Sequence, residues 1–266
     1  MKRITPMKPI LPIILSALSA LIICGCKTTD DGNQEQKATN TYAVVVGMEN
    51  SQFAGSCPGA GYDADRLYKL ISSYTPNIVL YKDSKATRAT ISSALKKAVE
   101  QAGEGLVIFC YSGHGGSDPF PNTGIEETDG KDEYLCLWDT YMRDNEIWAI
   151  ISQSKGRIFM ITDSCHSQTQ FRNPSFQLKP LLSFDHTLNE SQPFSMLCWS
   201  GCPDSDFSYG ASTGGQFTNA LLRHYNPSES YQSLWDKIKQ DRVLRSYENP
   251  QSTVIGKGFD DKGVFR

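Results

Sequence analysis

Two short segments of this chain carry a base and a nucleophile. Ser112-Gly113-His114-Gly115-Gly116 holds an imidazole, and Asp163-Ser164-Cys165-His166-Ser167 holds a thiol 51 positions further on. A thiol is mostly protonated near neutral pH. A nearby imidazole takes that proton and leaves a thiolate able to attack an acyl carbon. Gly115 lacks a Cβ, so backbone and substrate can approach closely there. Its N–H, with that of Cys165, is a candidate pair of donors for a developing oxyanion. The bland alternative for Cys165 is a buried structural thiol. Cys198-x3-Cys202 has no second pair to complete a zinc set.

For His114 and Cys165 to meet, their segments must leave neighbouring strands. The apolar run Leu106 to Tyr111 leads straight into the histidine segment, and Arg157 to Thr162 straight into the cysteine segment. Further strand-like runs lie at Tyr42–Val46, Asn77–Tyr81 and Met196–Trp199. Helical spacing marks Asp65–Tyr74, Thr87–Ala102 with Thr87 as N-cap, Asp144–Ser152, Gln216–Tyr225 and Tyr231–Tyr247. Strands separated by helices predict βαβ units around a parallel sheet, whose strands are continuously apolar because both faces are buried. Residues 115–133 and 166–193 read as long polar loops. Both start at the C-terminal ends of strands, the edge where open parallel sheets place their sites.

Together these segments resemble the caspase-like cysteine peptidases, most closely the metacaspase branch. The histidine precedes the cysteine by the roughly 50 residues seen in caspases. The resemblance is carried by YSGHGG at 111–116, DGKDEYL at 129–135, DSCHS at 163–167, GGQFTNALL at 214–222, GYDADRL at 61–67 and NPQ at 249–251. It implies an α/β fold, a caspase-like three-layer sandwich with a mainly parallel six-stranded sheet between helices. It also implies peptide-bond hydrolysis by a Cys-His dyad, with Cys165 as nucleophile and His114 as base and later acid. Metacaspases cut after Arg or Lys. Asp163, Asp63 and Ser112 fall at the polar positions of their pocket, and two carboxylates there favour a cationic side chain. Asp163 has a second reading, as a hydrogen-bond acceptor that orients a neighbouring loop.

The chain departs from the metacaspase pattern at Ala60, where a cysteine is common, and at Gln168, where glycine is usual. No cofactor is needed for the chemistry. Calcium, which activates many metacaspases, would use Asp132 and Asp144, but Asn145 and Arg172 stand where further acids are expected. Solvated acids are the simpler reading of Asp129, Asp132 and Glu133. Arg172 and Lys179 in the second loop are candidate sites of self-cleavage. Two other functions stay open: a catalytically silent caspase-like interaction module, and an Arg-specific peptidase of the clostripain type, which shares the strand-His and strand-Cys layout.

Lys2, Arg3 and Lys8 precede an apolar stretch, Ile10 to Ile23, which ends in Ile23-Cys24-Gly25-Cys26. A basic start, a short apolar run and small residues describe an export signal over residues 1–25. The end of that stretch resembles a bacterial lipobox, with Cys26 as the lipidated residue. An ordinary signal peptide with incidental cysteines is the alternative. Polar residues 26–40 read as a tether and 41–266 as the peptidase domain. The expected location is the cell envelope, as an exported lipoprotein held to the membrane through its lipid. The 266 residues are 39% hydrophobic and 21% charged, enough for a large core. Beyond residue 25 there are 23 basic against 29 acidic residues, a net of −6, so nucleic acid is not an expected partner. Protein or peptide substrates are. Six cysteines remain after Cys24 and Cys26. Cys110 and Cys198 read as buried small hydrophobes, and the irregular spacing gives no disulfide framework.

Overall fold

Strands that are apolar on both faces set the centre of the molecule. The structure is a computed structural model and describes residues 40–118, 132–165, 187–188, 193–202, 210–259 and 263–266. Its longer strands, in chain order, are β1 (Thr41–Gly47), β2 (Asn77–Lys82), β3 (Leu106–Ser112), β4 (Gly115–Asp118), β5 (Asp132–Cys136), β6 (Tyr141–Arg143), β7 (Arg157–Asp163), β8 (Ser195–Ser200) and β9 (Gln251–Ile255). The helices are α1 (Ala60–Ile71), α2 (Arg88–Ala102), α3 (Asp144–Ile151), α4 (Gln216–His224), α5 (Tyr231–Gln240) and α6 (Arg242–Arg245). Six strands form the central sheet in the order β2-β1-β3-β7-β8-β9, parallel except for β9, which runs antiparallel to β8. The two-residue strand Thr187–Leu188 extends the β9 edge.

Alternate residues of each strand feed different layers. Val44, Val46, Val107, Phe109, Ile158 and Met160 pack on Ile91, Leu95 and Val99 of α2 and Ile147 and Ile151 of α3. Ala43, Val45, Ile108, Cys110, Phe159 and Ile161 face α1, α4 and α5 through Leu67, Ile71, Phe217, Leu221 and Trp235. Helices therefore cover both faces, as expected of the three-layer sandwich. Each fully buried Val, Ile or Phe contributes roughly 1.5–3 kcal/mol relative to exposure. Cys110 and Cys198 are buried in these layers, as their strand positions predict.

Three elements differ from the sequence expectation. The first helix begins at Ala60, well before Asp65, because Gly59 takes a left-handed φ of 94° and Ala60 and Ala64 are small enough to pack under β1. Asp63 thereby lies in the first helical turn. The helix expected over 231–247 breaks at Asp241, whose backbone is extended and whose carboxylate caps α6 through the N–H groups of Val243 and Leu244. His224, expected at a helix end, meets the same carboxylate at 2.7 Å. The stretch 115–133, read as loop, supplies β4 and the start of β5, which pair antiparallel and continue into β6. Gly115 and Gly116 carry no β-propensity, so this small sheet leaves no hydrophobic pattern. The lipobox, the tether and most of the 166–193 loop, with His166, Arg172, Lys179 and His186, lie outside the described residues.

Candidate active site

The register between β3 and β7 decides where the chemistry sits. These strands are parallel neighbours, and Ser112 pairs with Asp163 at their C-terminal ends. His114 and Cys165 each follow two residues beyond that pair, so both leave the same sheet edge. Gly113 N–H donates to the Asp163 carbonyl at 3.2 Å and Met48 N–H to the Ser112 carbonyl at 2.9 Å, which ties the strand exits together. A cavity of about 260 Å³ opens there. Its walls include His114, Cys165, Asp63, Ser112 and Asp163, the five side chains selected from sequence, along with Ser56 and Cys57. His114 and Cys165 are both half-buried, so the sulfur is not sealed in hydrocarbon. A larger hollow of about 420 Å³ between α2 and α3 is lined by Lys96, Glu100, Gln153 and Lys155 among others and has no thiol or imidazole in its wall.

The hydrogen bonds around His114 assign its nitrogens. Nε2 lies 3.0 Å from the Ser56 carbonyl, which can only accept, so Nε2 carries a proton. In the neutral ring Nδ1 is then the basic nitrogen. The backbone of this segment is braced from below. The wholly buried Tyr111 hydroxyl lies 2.6 Å from the His114 carbonyl and 2.7 Å from the Cys136 carbonyl and shares its one proton between them, and Cys136 N–H donates to the His114 carbonyl at 3.0 Å. On the other side, Cys202 Sγ donates to the Ser164 carbonyl at 3.3 Å and supports the nucleophile's turn. A Cβ at Gly115 would stand 2.5 Å from the Cys165 carbonyl oxygen. Glycine is therefore required for β4 to pass this close to the cysteine.

The acids form a buried pair. Asp63 is wholly buried, and its Oδ2 accepts from Ser112 Oγ at 2.9 Å and Gly215 N–H at 2.8 Å. Its Oδ1 accepts from Arg66 Nη2 at 2.5 Å. Asp163, also buried, accepts at Oδ2 from Thr218 N–H in the first turn of α4 at 2.8 Å. Gly215 stands against the Asp163 carboxylate where any Cβ would collide. Burial first, then the charge of Asp163, push the Asp63 carboxyl up to about 7, against the hydrogen bonds that favour its ionised form. The Cys57 thiol is pushed up to about 12, by burial and then by Asp163, Cys165, Asp63 and Glu49. Beside these carboxylates Cys57 is held as a thiol.

Sequence reasoning missed Tyr111, Cys57, Arg66, Gly215 and Thr218. Gly215 and Thr218 lie in the quoted GGQFTNALL segment, and Arg66 in GYDADRL, but nothing in their spacing assigned them a contact. Around the expected calcium positions, Glu133 and Asp144 are wholly buried, and Asp144 Oδ1 accepts from Asn145 N–H at 2.7 Å. Among the described residues no three ligating side chains gather into a group. Asp129 and the side chain of Asp132 lie outside the described residues.

Comparison with known proteins identifies the family and the fold. Residues 40–253 match the family described as the caspase domain. Metacaspase-1A of Aspergillus fumigatus is 25% identical over 228 residues, covering 63% of this chain and 55% of that protein. Metacaspase-1A of Aspergillus clavatus is also 25% identical, with 63% and 53% covered. The chain thus spans about half the length of these curated relatives. A crystal structure of a Geobacter sulfurreducens protein superposes with a TM-score of 0.67 at 25% identity, covering 85% of this chain and 98% of that one. Caspase-1 of Spodoptera frugiperda shares the fold at a TM-score of 0.50 and 16% identity, covering 85% and 92%. The six-stranded sheet, its helical layers and the match over residues 40–253 place this chain in the caspase-domain family of cysteine peptidases.

Proposed function

We propose that the protein is a cysteine endopeptidase that hydrolyses peptide bonds after a basic residue. The observation that carries this is the Ser112–Asp163 register, which delivers His114 and Cys165 to one accessible, acid-lined cavity. Cys165 Sγ attacks the scissile carbonyl carbon as the thiolate. The tetrahedral oxyanion is held by the N–H groups of Gly115 and Cys165. As the C–N bond breaks, His114 Nδ1 gives its proton to the leaving amine and a thioester remains. Water then attacks the thioester while His114 takes its proton, and the thiol and a carboxylic acid are released. Asp63, Ser112 and Asp163 line the pocket for the side chain that precedes the scissile bond. In a desolvated site their charge attracts an ammonium or guanidinium and opposes a carboxylate.

Fluorogenic peptides ending in Arg, Lys or Asp test this assignment. The expected result is turnover of the basic peptides, none of the Asp peptide, and loss of activity in Cys165→Ala. Preferential turnover of the Asp peptide would overturn the pocket assignment. No turnover of any peptide by folded protein would favour a binding module.

The protein acts outside the cytoplasm in this proposal, anchored by lipid at Cys26. Its support is the basic, apolar and small-residue order of residues 1–26. Among the described residues no helix is long and apolar enough to cross a membrane.

A further inference from the structure

The pocket carboxylate already has a cationic partner from its own chain. Arg66 sits one turn along α1 from Asp63, and its Nη2 takes Asp63 Oδ1 at 2.5 Å. Its guanidinium lies 4.4 Å from the centre of the Tyr62 ring, which holds it in place by a cation–π contact. With Ser112 and Gly215 on Oδ2, three of the roughly four acceptor sites of Asp63 are filled. Asp163 turns one oxygen to Thr218 N–H, and Gly215 presses against its carboxylate. A substrate arginine needs two oxygens of one carboxylate, side by side, to use its planar fork. On Asp63 both oxygens are engaged. A lysine ammonium is a compact point charge and can use the single acceptor site that remains on Asp63.

We propose that Arg66 is a resident counter-ion of the pocket and selects lysine over arginine as the residue before the scissile bond. This deepens, and rests on, the reading of Asp63 and Asp163 as the pocket acids. Arg66 is a positioning residue, because it acts on the substrate through Asp63. The charged and titratable groups facing Asp63 are Arg66 on its own helix, Asp163 from β7 and Cys57 from the preceding turn.

The test compares two otherwise identical fluorogenic peptides, ending in Lys or Arg, on the alkaline plateau where Asp63 is ionised. The wild-type protein should favour Lys. Arg66→Met should move the ratio of kcat/KM values at least about tenfold toward Arg, since one charge-assisted pair becomes available to the substrate. The change should lie in KM, with kcat nearly constant. Arg66→Lys, which keeps a cation on Oδ1, should keep the wild-type ratio. Tyr62→Ala, which frees the guanidinium without removing it, should move the ratio part of the way. A ratio unchanged in folded Arg66→Met and Tyr62→Ala, or a wild-type preference for Arg, would overturn the inference. Failure to cut either basic peptide would instead overturn the pocket assignment beneath it.

Discussion

Replacing Asp63 with Asn tests the electrostatics of the pocket most quantitatively. The Asp63 carboxyl, raised by burial and by Asp163 to about 7, changes charge in the middle of the working pH range. A cationic side chain is bound by the ionised form. At about pH 6 roughly a tenth of a group titrating at 7 is ionised, and at about pH 8 roughly nine-tenths. The kcat/KM for a Lys peptide should therefore rise about tenfold over this interval from Asp63 alone. The sign follows from the raised value: protonation at the acid end removes the charge that the substrate needs. The assay divides each value by that for a norleucine peptide, which needs the dyad and no pocket charge. In the wild-type protein the Lys-to-norleucine ratio should climb about tenfold from pH 6 to 8. In Asp63→Asn it should be flat, and lower at pH 8 by about 10- to 100-fold, the loss of one hydrogen-bonded charge pair. A wild-type ratio that does not change with pH would refute the reasoning, as would an Asn variant that keeps the rise.

Three further outcomes follow from the same geometry. Tyr111→Phe removes a buried hydroxyl whose one proton is shared between the His114 and Cys136 carbonyls; it should cost about 1–3 kcal/mol in denaturant unfolding and lower kcat several-fold. Purified protein should be cut after Arg172 or Lys179 while Cys165→Ala stays intact, read by mass spectrometry of the fragments; identical bands in both would contradict self-cleavage. A calcium chelator should leave measurable turnover, because the thiol and imidazole perform every bond change, and abolition of activity by chelator would show calcium to be essential.

How much was legible in the sequence depends on what each residue faces. The continuous runs at 42–46, 106–111 and 157–162 announced parallel strands because both faces of each are covered, so no polar residue interrupts them. Thr87 announced its helix because it caps it, accepting from Thr90 N–H at 3.2 Å. His114 and Cys165 were legible because each follows a strand directly, and a two-residue exit leaves little freedom. The small sheet of β4, β5 and β6 was not, because Gly115 and Gly116 pair through backbone alone. The start of α1 was hidden in Pro58-Gly59-Ala60-Gly61, which reads as a turn until Gly59 is seen capping the helix from a left-handed conformation. Arg66 and Tyr111 escaped because their contacts are tertiary: an exposed-looking helical cation and an apolar strand residue gave no spacing signal of their own.

Peptidase chemistry here requires a reactive thiol and its base in one open cleft. Incubating the native protein with a Lys-ended peptidyl chloromethyl ketone, then locating the adduct by peptide mass spectrometry, tests it most directly. The expected result is stoichiometric alkylation of Cys165, none of Cys57, whose thiol stays protonated, and a rate at least about 10²-fold lower in His114→Ala. Alkylation of Cys57 in preference to Cys165, or a Cys165 rate indifferent to His114, would contradict it.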